Sequence, residues 1–192
     1  MKNILFSFFI LAFPIISNAE EVPIKPKQVF KLFAALVSSP SSEGWVLTTK
    51  SDVQLQFQGV RSNEGMMAMV SFVTFPGPHD RNSMISAVKK HVKESATVSG
   101  GVIQNESYSY TEERGYPCVK VNHVMKVTFT IKGAASPSEG HANLQQHLLM
   151  CLIPKYENTG LMVGFSYPNK EIIQKNEAVA AEFISGVKLN IK

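Results

Sequence analysis

Two long alternating runs, each carrying one cysteine, constrain this chain more than anything else in it. Between Tyr116 and Ile131, the residues Val119, Val121, His123, Met125, Val127, Phe129 and Ile131 recur at every second position. Cys118, Lys120, Asn122, Val124, Lys126, Thr128 and Thr130 fall between them. A loop from Gly133 to Gly140, containing Pro137, separates this run from a second one. There Ala142, Leu144, Gln146, Leu148, Met150 and Leu152 share one face, and His141, Asn143, Gln145, His147, Leu149, Cys151 and Ile153 share the other. Period two over such lengths is a strand, and two strands joined by one loop pair antiparallel. Paired residue numbers in a hairpin have a constant sum. Setting Cys118 opposite Cys151 centres the turn between Ala134 and Ala135, inside the loop, and both cysteines lie on the more polar face. The pattern predicts a Cys118–Cys151 disulfide at a non-hydrogen-bonded pair, where side chains approach most closely.

The amino terminus is read as an address. Lys2 supplies a positive start, Ile4 to Ile16 an apolar core, and Ser17-Asn18-Ala19 the small residues of a cleavage site. This is the pattern of a secretory signal peptide over residues 1–19. Residues 20–26, with two prolines, read as an extended leader, and 27–192 as a single domain. Export makes an oxidising compartment, which favours the disulfide. The expected placement is periplasmic or secreted. No apolar run of membrane-spanning length follows the signal.

The rest of the chain alternates in type. Phe30, Phe33, Ala34 and Val37 recur at helical spacing, predicting a helix over 27–37 stopped by Ser38-Ser39-Pro40. Trp45–Thr49 and Val53–Gln58 read as a strand pair, the second half-buried because Val53, Leu55 and Phe57 alternate with glutamines. The apolar stretch Met66–Phe75 reads as a central strand ended by Pro76-Gly77-Pro78. Asp80, Asn82 and Ser83 are candidate caps for a helix whose inner face holds Met84, Ile85, Val88, His91, Val92 and Ser95. Val102–Thr111 reads as a polar strand near an edge, with a turn at Glu112–Gly115. Leu161–Tyr167 is a last strand. A closing helix starts at Pro168-Asn169, carries Ile172, Val179, Ala180, Phe183 and Val187 inward, and ends near Gly186. The expected fold is α+β: a single, mostly antiparallel sheet of about seven strands flanked by helices as an α/β/α sandwich.

Candidate chemistry is sparse. The net charge of +4, reduced by one when Lys2 leaves, is too small to point to nucleic acid. It is compatible with weak attraction to an anionic envelope surface. The stretch Lys89-Lys90-His91-Val92-Lys93 reads as a solvated helix face. The five histidines are His79, His91, His123, His141 and His147. His141 and His147 share a strand face but stand about 20 Å apart, too far for one metal, and His147 to Cys151 spans about 13 Å. His123 falls on the apolar face and reads as a hydrogen-bonded core histidine. Met66, Met67 and Met69 offer soft thioethers, but their apolar, strand-like setting reads as packing. Glu112-Glu113 reads as a solvated turn, and Ser166 has no assignable base or acid. Asn105-Glu106-Ser107 matches a glycosylation sequon. No catalytic, cofactor-binding or metal-binding residues are assigned.

The order of a Trp-bearing hairpin, a helix after the third strand, a long meander and a closing helix resembles the PsbP-like, or DcrB-like, α/β/α sandwich. The stretches Gly164-Phe165-Ser166-Tyr167-Pro168 and Ala181-Glu182-Phe183-Ile184-Ser185-Gly186-Val187 carry that resemblance. It implies a small non-catalytic exported protein that assists an assembly. The expected function is an exported non-catalytic binding or assembly module of the bacterial envelope or secretome, with an envelope or extracellular protein as partner. The alternatives are a secreted enzyme whose residues converge only in three dimensions, using His79, His123 or His147 beside a carboxylate, and a small-ligand or lipid carrier with a pocket between sheet and helix.

Overall fold

The computed structural model describes residues 22–75, 80–131, 138–156, 158–168 and 173–190. In chain order the elements are β1 (Val22–Pro23), β2 (Val29–Leu32), β3 (Ala35–Ser38), β4 (Trp45–Lys50), β5 (Gln54–Gly59), β6 (Met67–Thr74), α1 (Arg81–Val98), β7 (Val102–Thr111), β8 (Cys118–Ile131), β9 (Ser138–Leu152), β10 (Thr159–Pro168), α2 (Ile173–Gly186) and β11 (Lys188–Leu189). The expected signal segment 1–19, His79, the expected turn centre at Ala134–Ala135 and the expected helix start at Asn169 lie outside the described residues.

The fold is α+β, as the alternation of patterns predicts, but it has two sheets. An antiparallel sheet of eight strands runs in the order β1-β4-β5-β6-β10-β9-β8-β7. A second sheet of three strands runs β11-β3-β2. The expected seven-stranded single sheet is corrected on both counts. The added members β1 and β11 have two residues each, too few to show a period.

The helix predicted over 27–37 is a hairpin. Val29–Leu32 pairs with Ala35–Ser38 across a turn at Phe33 and Ala34. Alternation runs inward at Phe30, Leu32, Ala35 and Val37 and outward at Val29, Lys31 and Leu36. The gaps of three and four that imitate a helix come from counting the turn residues Phe33 and Ala34 with Phe30 and Val37, whereas the strands themselves keep a period of two.

The β8–β9 register holds without a break from Cys118↔Cys151 to Ile131↔Ser138. The Leu152 amide donates to the Pro117 carbonyl at 3.0 Å, which makes the cysteine pair a non-hydrogen-bonded one. The two Cα atoms are 4.0 Å apart and the sulfurs are bonded.

Two cores sandwich the large sheet. On one face, α1 lays Met84, Val88 and Val92 on Met69, Val119, Val121, Leu148 and Met150. Each such side chain stabilises the fold by roughly 1.5–3 kcal/mol when fully buried. Asp80 caps α1 by accepting from the Asn82 and Ser83 amides. The Ser83 hydrogen bonds are the main reason its carboxyl titrates below the usual range. Gly100, at φ +66°, ends the helix in the left-handed region. On the other face, α2 and the small sheet close over Trp45, Phe57, Phe165 and Tyr167. With both faces covered, β5 is buried except at Gln58 rather than half-buried: Gln54 and Gln56 are only 8% and 9% exposed. Gln54 Nε2 donates to Met69 Sδ at 3.6 Å.

The turn at Glu112–Gly115 does more than reverse the chain. Arg114 Nη1 donates to the Val187 carbonyl at 2.6 Å, and its Nη2 donates to the Ile184 carbonyl. A cation there meets the negative end of α2 and satisfies carbonyls its last turn leaves open. Arg114→Ala is expected to cost about 2 kcal/mol in urea unfolding, with Arg114→Lys recovering only part because it lacks the forked donor set. A loss within about 0.5 kcal/mol for the alanine variant, the range of an ordinary surface change, would show the tether to be incidental.

Candidate functional site

Polar residues converge on the α1 side of the large sheet. His123, Gln146 and Ser166 sit side by side on β8, β9 and β10 as successive cross-strand partners. They are buried to 2%, 2% and 3% exposure. This polar row divides the apolar layer. The Val121–Leu148 row on one side belongs to the cluster under the first part of α1. The Met125–Leu144 row on the other side packs with Ala96. Above the gap, α1 brings His91, Ser95 and Ser99, spaced four apart and so on one line of the helix. The cleft between is partly open. It offers about 40 Å³ to the centres of water-sized molecules, room for about three waters.

Two buried atoms of residues that line this cleft have no hydrogen-bond partner: His123 Nδ1 and Gln146 Nε2. His123 is the expected hydrogen-bonded core histidine, bonded through the Gln146 side chain. One of its ring nitrogens is bare. Burial lowers its pKa first, with the Gln146 side chain and Glu106 pulling upward and His147 adding to the depression. His91 is lowered by burial against a smaller upward pull from Glu94, and His147 by burial against Glu177.

Burial favours the neutral form of all three rings in the fold, whereas the unfolded chain protonates them near their ordinary value of 6.5. The unfolded state then binds more protons, so stability is complete above pH 6.5 and falls as pH drops through it. The depressed carboxylates of Glu106, Glu113 and Glu182 act only below their usual 4.5. The urea midpoint is expected to decline between pH 7 and pH 5, roughly the interval where histidine alone titrates. A flat midpoint across that interval would contradict the neutral assignment.

The opposite face carries a closed network. His147 Nδ1 is 2.7 Å from Asn122 Oδ1 and its Nε2 is 3.1 Å from the Tyr167 hydroxyl. The amide oxygen only accepts, so Nδ1 donates and Nε2 accepts from the phenol. The rings of His147 and Tyr167 stack at 5.7 Å. Burial, with Glu177 nearby, pushes the Tyr167 phenol up to about 12, which keeps it a donor. Each partner is satisfied, and the network reads as an anchor for β8, β9 and β10.

The remaining candidates disperse. His141 faces Thr128 at 3.1 Å, apart from His147. Met66 packs into one core and Met69 into the other, so their thioethers diverge. Glu112 accepts from the Tyr110 hydroxyl while Glu113 pairs with Lys120 at 2.8 Å. Glu106 of the sequon binds Lys89 and Lys93 at 2.9 and 3.4 Å. No helix among the described residues is long and apolar enough to cross a membrane. Ser95 fell on the expected inner helix face. Gln146 and Ser99 were not singled out, although strand parity with Leu144 and the four-residue step from Ser95 point to them.

No family model matches the sequence, and no curated protein matches it significantly. Solved structures do match. A point mutant of protein Mog1 superposes with a TM-score of 0.52 at 11% identity, covering 85% of this chain and 95% of that one. The Saccharomyces cerevisiae Ran-binding protein Mog1p superposes with a TM-score of 0.52 at 11% identity, covering 86% of this chain and 96% of that one. The resemblance to PsbP-like, or DcrB-like, proteins is corrected by these matches. The order of hairpin, helix, meander and helix does not fix a family, because several layered folds bury their faces in that order. What this chain shares with Mog1 is the fold.

Proposed function

We propose that this chain is an exported, non-catalytic binding module of the bacterial envelope, and that it docks an acidic protein surface on the outer face of its small sheet. The observation that carries this reading is the composition of that face. Val29, Phe33 and Leu36 are 63%, 60% and 38% exposed. Lys31 and Lys188 flank Leu36 as its cross-strand partners and are also exposed. Phe33 is held upright by the rings of Phe72 and Tyr156, at 6.0 and 5.1 Å. Apolar anchors flanked by two lysines suit a partner with an apolar centre and acidic residues beside it. The Mog1p structure carries the description Ran-binding, so this fold serves a protein partner in that case. The signal segment supports delivery to the envelope.

The test places a photo-crosslinking residue at position 33 of the full chain in cells, followed by fractionation. One acidic envelope protein should be captured, and Lys31→Glu with Lys188→Glu should cut the yield at least about tenfold, the scale of losing a desolvated charge contact. Capture that ignores those charge reversals, binding to phosphatidylglycerol vesicles alone, or retention in the cytosol with the leader uncut would each overturn the reading.

A further inference from the structure

The polar cleft under α1 is independent of the docking face and calls for its own explanation. The rows on either side of His123–Gln146 are apolar pairs, Val121–Leu148 and Met125–Leu144. Such a pair in the middle row would complete the core. Instead the strands place an imidazole and a carboxamide there, both 2% exposed, each with an atom lacking a partner. Buried polar atoms are nearly always satisfied, so two orphans on one cross-strand pair beside a cavity mark a missing partner.

We propose that this cleft binds a small uncharged molecule presenting a carbonyl oxygen beside an N–H or O–H, the primary carboxamide being its simplest form. Gln146 Nε2 donates, so it requires an acceptor. A neutral imidazole has one bare nitrogen, and Nδ1 in that state requires a donor. The two residues are directly opposed across β8 and β9, so a ligand with donor and acceptor on one carbon bridges them. The lining contains no carboxylate, lysine or arginine. An ammonium group would therefore be buried without a counter-charge, and a carboxylate would have to draw a proton onto His91 or His123 against the burial that keeps both rings neutral, so an uncharged head is preferred. Leu148, Met162 and Val92 line the same cleft and suit an apolar remainder. A thioether metal site does not fit. Met69 Sδ accepts from Gln54, and Met125 Sδ lies against Gly101, only 2.8 Å from where a Cβ there would sit.

The experiment titrates ¹⁵N-labelled mature protein with acetamide and, separately, with sodium acetate, following the Gln146 side-chain amide and the His123 ring nitrogens. Acetamide should shift both saturably with a dissociation constant in roughly the millimolar range, as suits so few heavy atoms. Acetate should bind at least about tenfold more weakly, the discrimination expected when an uncompensated charge is buried. Gln146→Leu should lose the acetamide response while unfolding in urea as cooperatively as the wild type, since leucine continues the apolar rows on either side even though the hydrogen bond to His123 is lost. Four outcomes would overturn the proposal. They are no saturation by acetamide, acetate binding as tightly, the response surviving in Gln146→Leu, and a cleft whose two atoms exchange only with ordered water.

Discussion

Replacing both cysteines, Cys118→Ala with Cys151→Ala, is expected to lower the stability of the protein by about 4 kcal/mol. The bridge closes a sequence separation of 33 residues, and loop-closure entropy for a loop of that length is worth about that much at 25 °C. The cysteines are 0% and 2% exposed and belong to the core that holds Trp45 and Phe165. Alanine therefore keeps the site apolar, whereas serine would add buried hydroxyls and confuse the result. The melting temperature should fall by roughly 8–16 °C for a chain of this size. Urea unfolding checks the energy. Intact mass with and without reductant checks the bond, through the gain of two hydrogen atoms. A loss below about 1 kcal/mol would falsify the view that the bridge constrains the unfolded chain.

That bond was foreseeable because it rests on local arithmetic. Alternation fixes which face each cysteine takes, and the loop fixes which residues oppose each other. The same logic recovered α1 from Asp80 and its apolar stripe, the central place of β6, and the edge place of β7. It failed where packing between distant elements decides. The stripe of Gln54 and Gln56 is polar, yet a second layer buries it. Arg114 reaches α2 across 70 residues of chain, which no periodicity reveals. The cleft stands between these cases. Parity put His123 and Gln146 on inward faces, and the hairpin sum made them partners. Their meeting with His91 and Ser99 depends on where α1 crosses the sheet, and only the folded chain contains that crossing.

Phe165→Ala and Phe33→Ala test how burial, rather than residue type, sets energy. Phe165 is wholly buried on β10, between Ala68 of β6 and His147 of β9. Its ring lies 5.7 Å from Trp45, 6.0 Å from Phe183 and 6.3 Å from Tyr167, so it joins the large sheet to α2. Truncation leaves a cavity walled by rings that cannot all collapse inward, and the expected cost is 3–5 kcal/mol, that is, about 4. Phe33 looked equally buried when its spacing from Phe30 and Val37 was read as a helix. In the hairpin it is 60% exposed, with its ring edge-on to Phe72 and tilted against Tyr156. Truncation there should cost about 1 kcal/mol, the worth of an aromatic pair. Urea midpoints at constant slope compare the two directly. Equal losses would restore the helix over 27–37 and bury Phe33. A gap of about 3 kcal/mol keeps Phe33 on the surface, where its ring is available to a partner, and assigns Phe165 to the core.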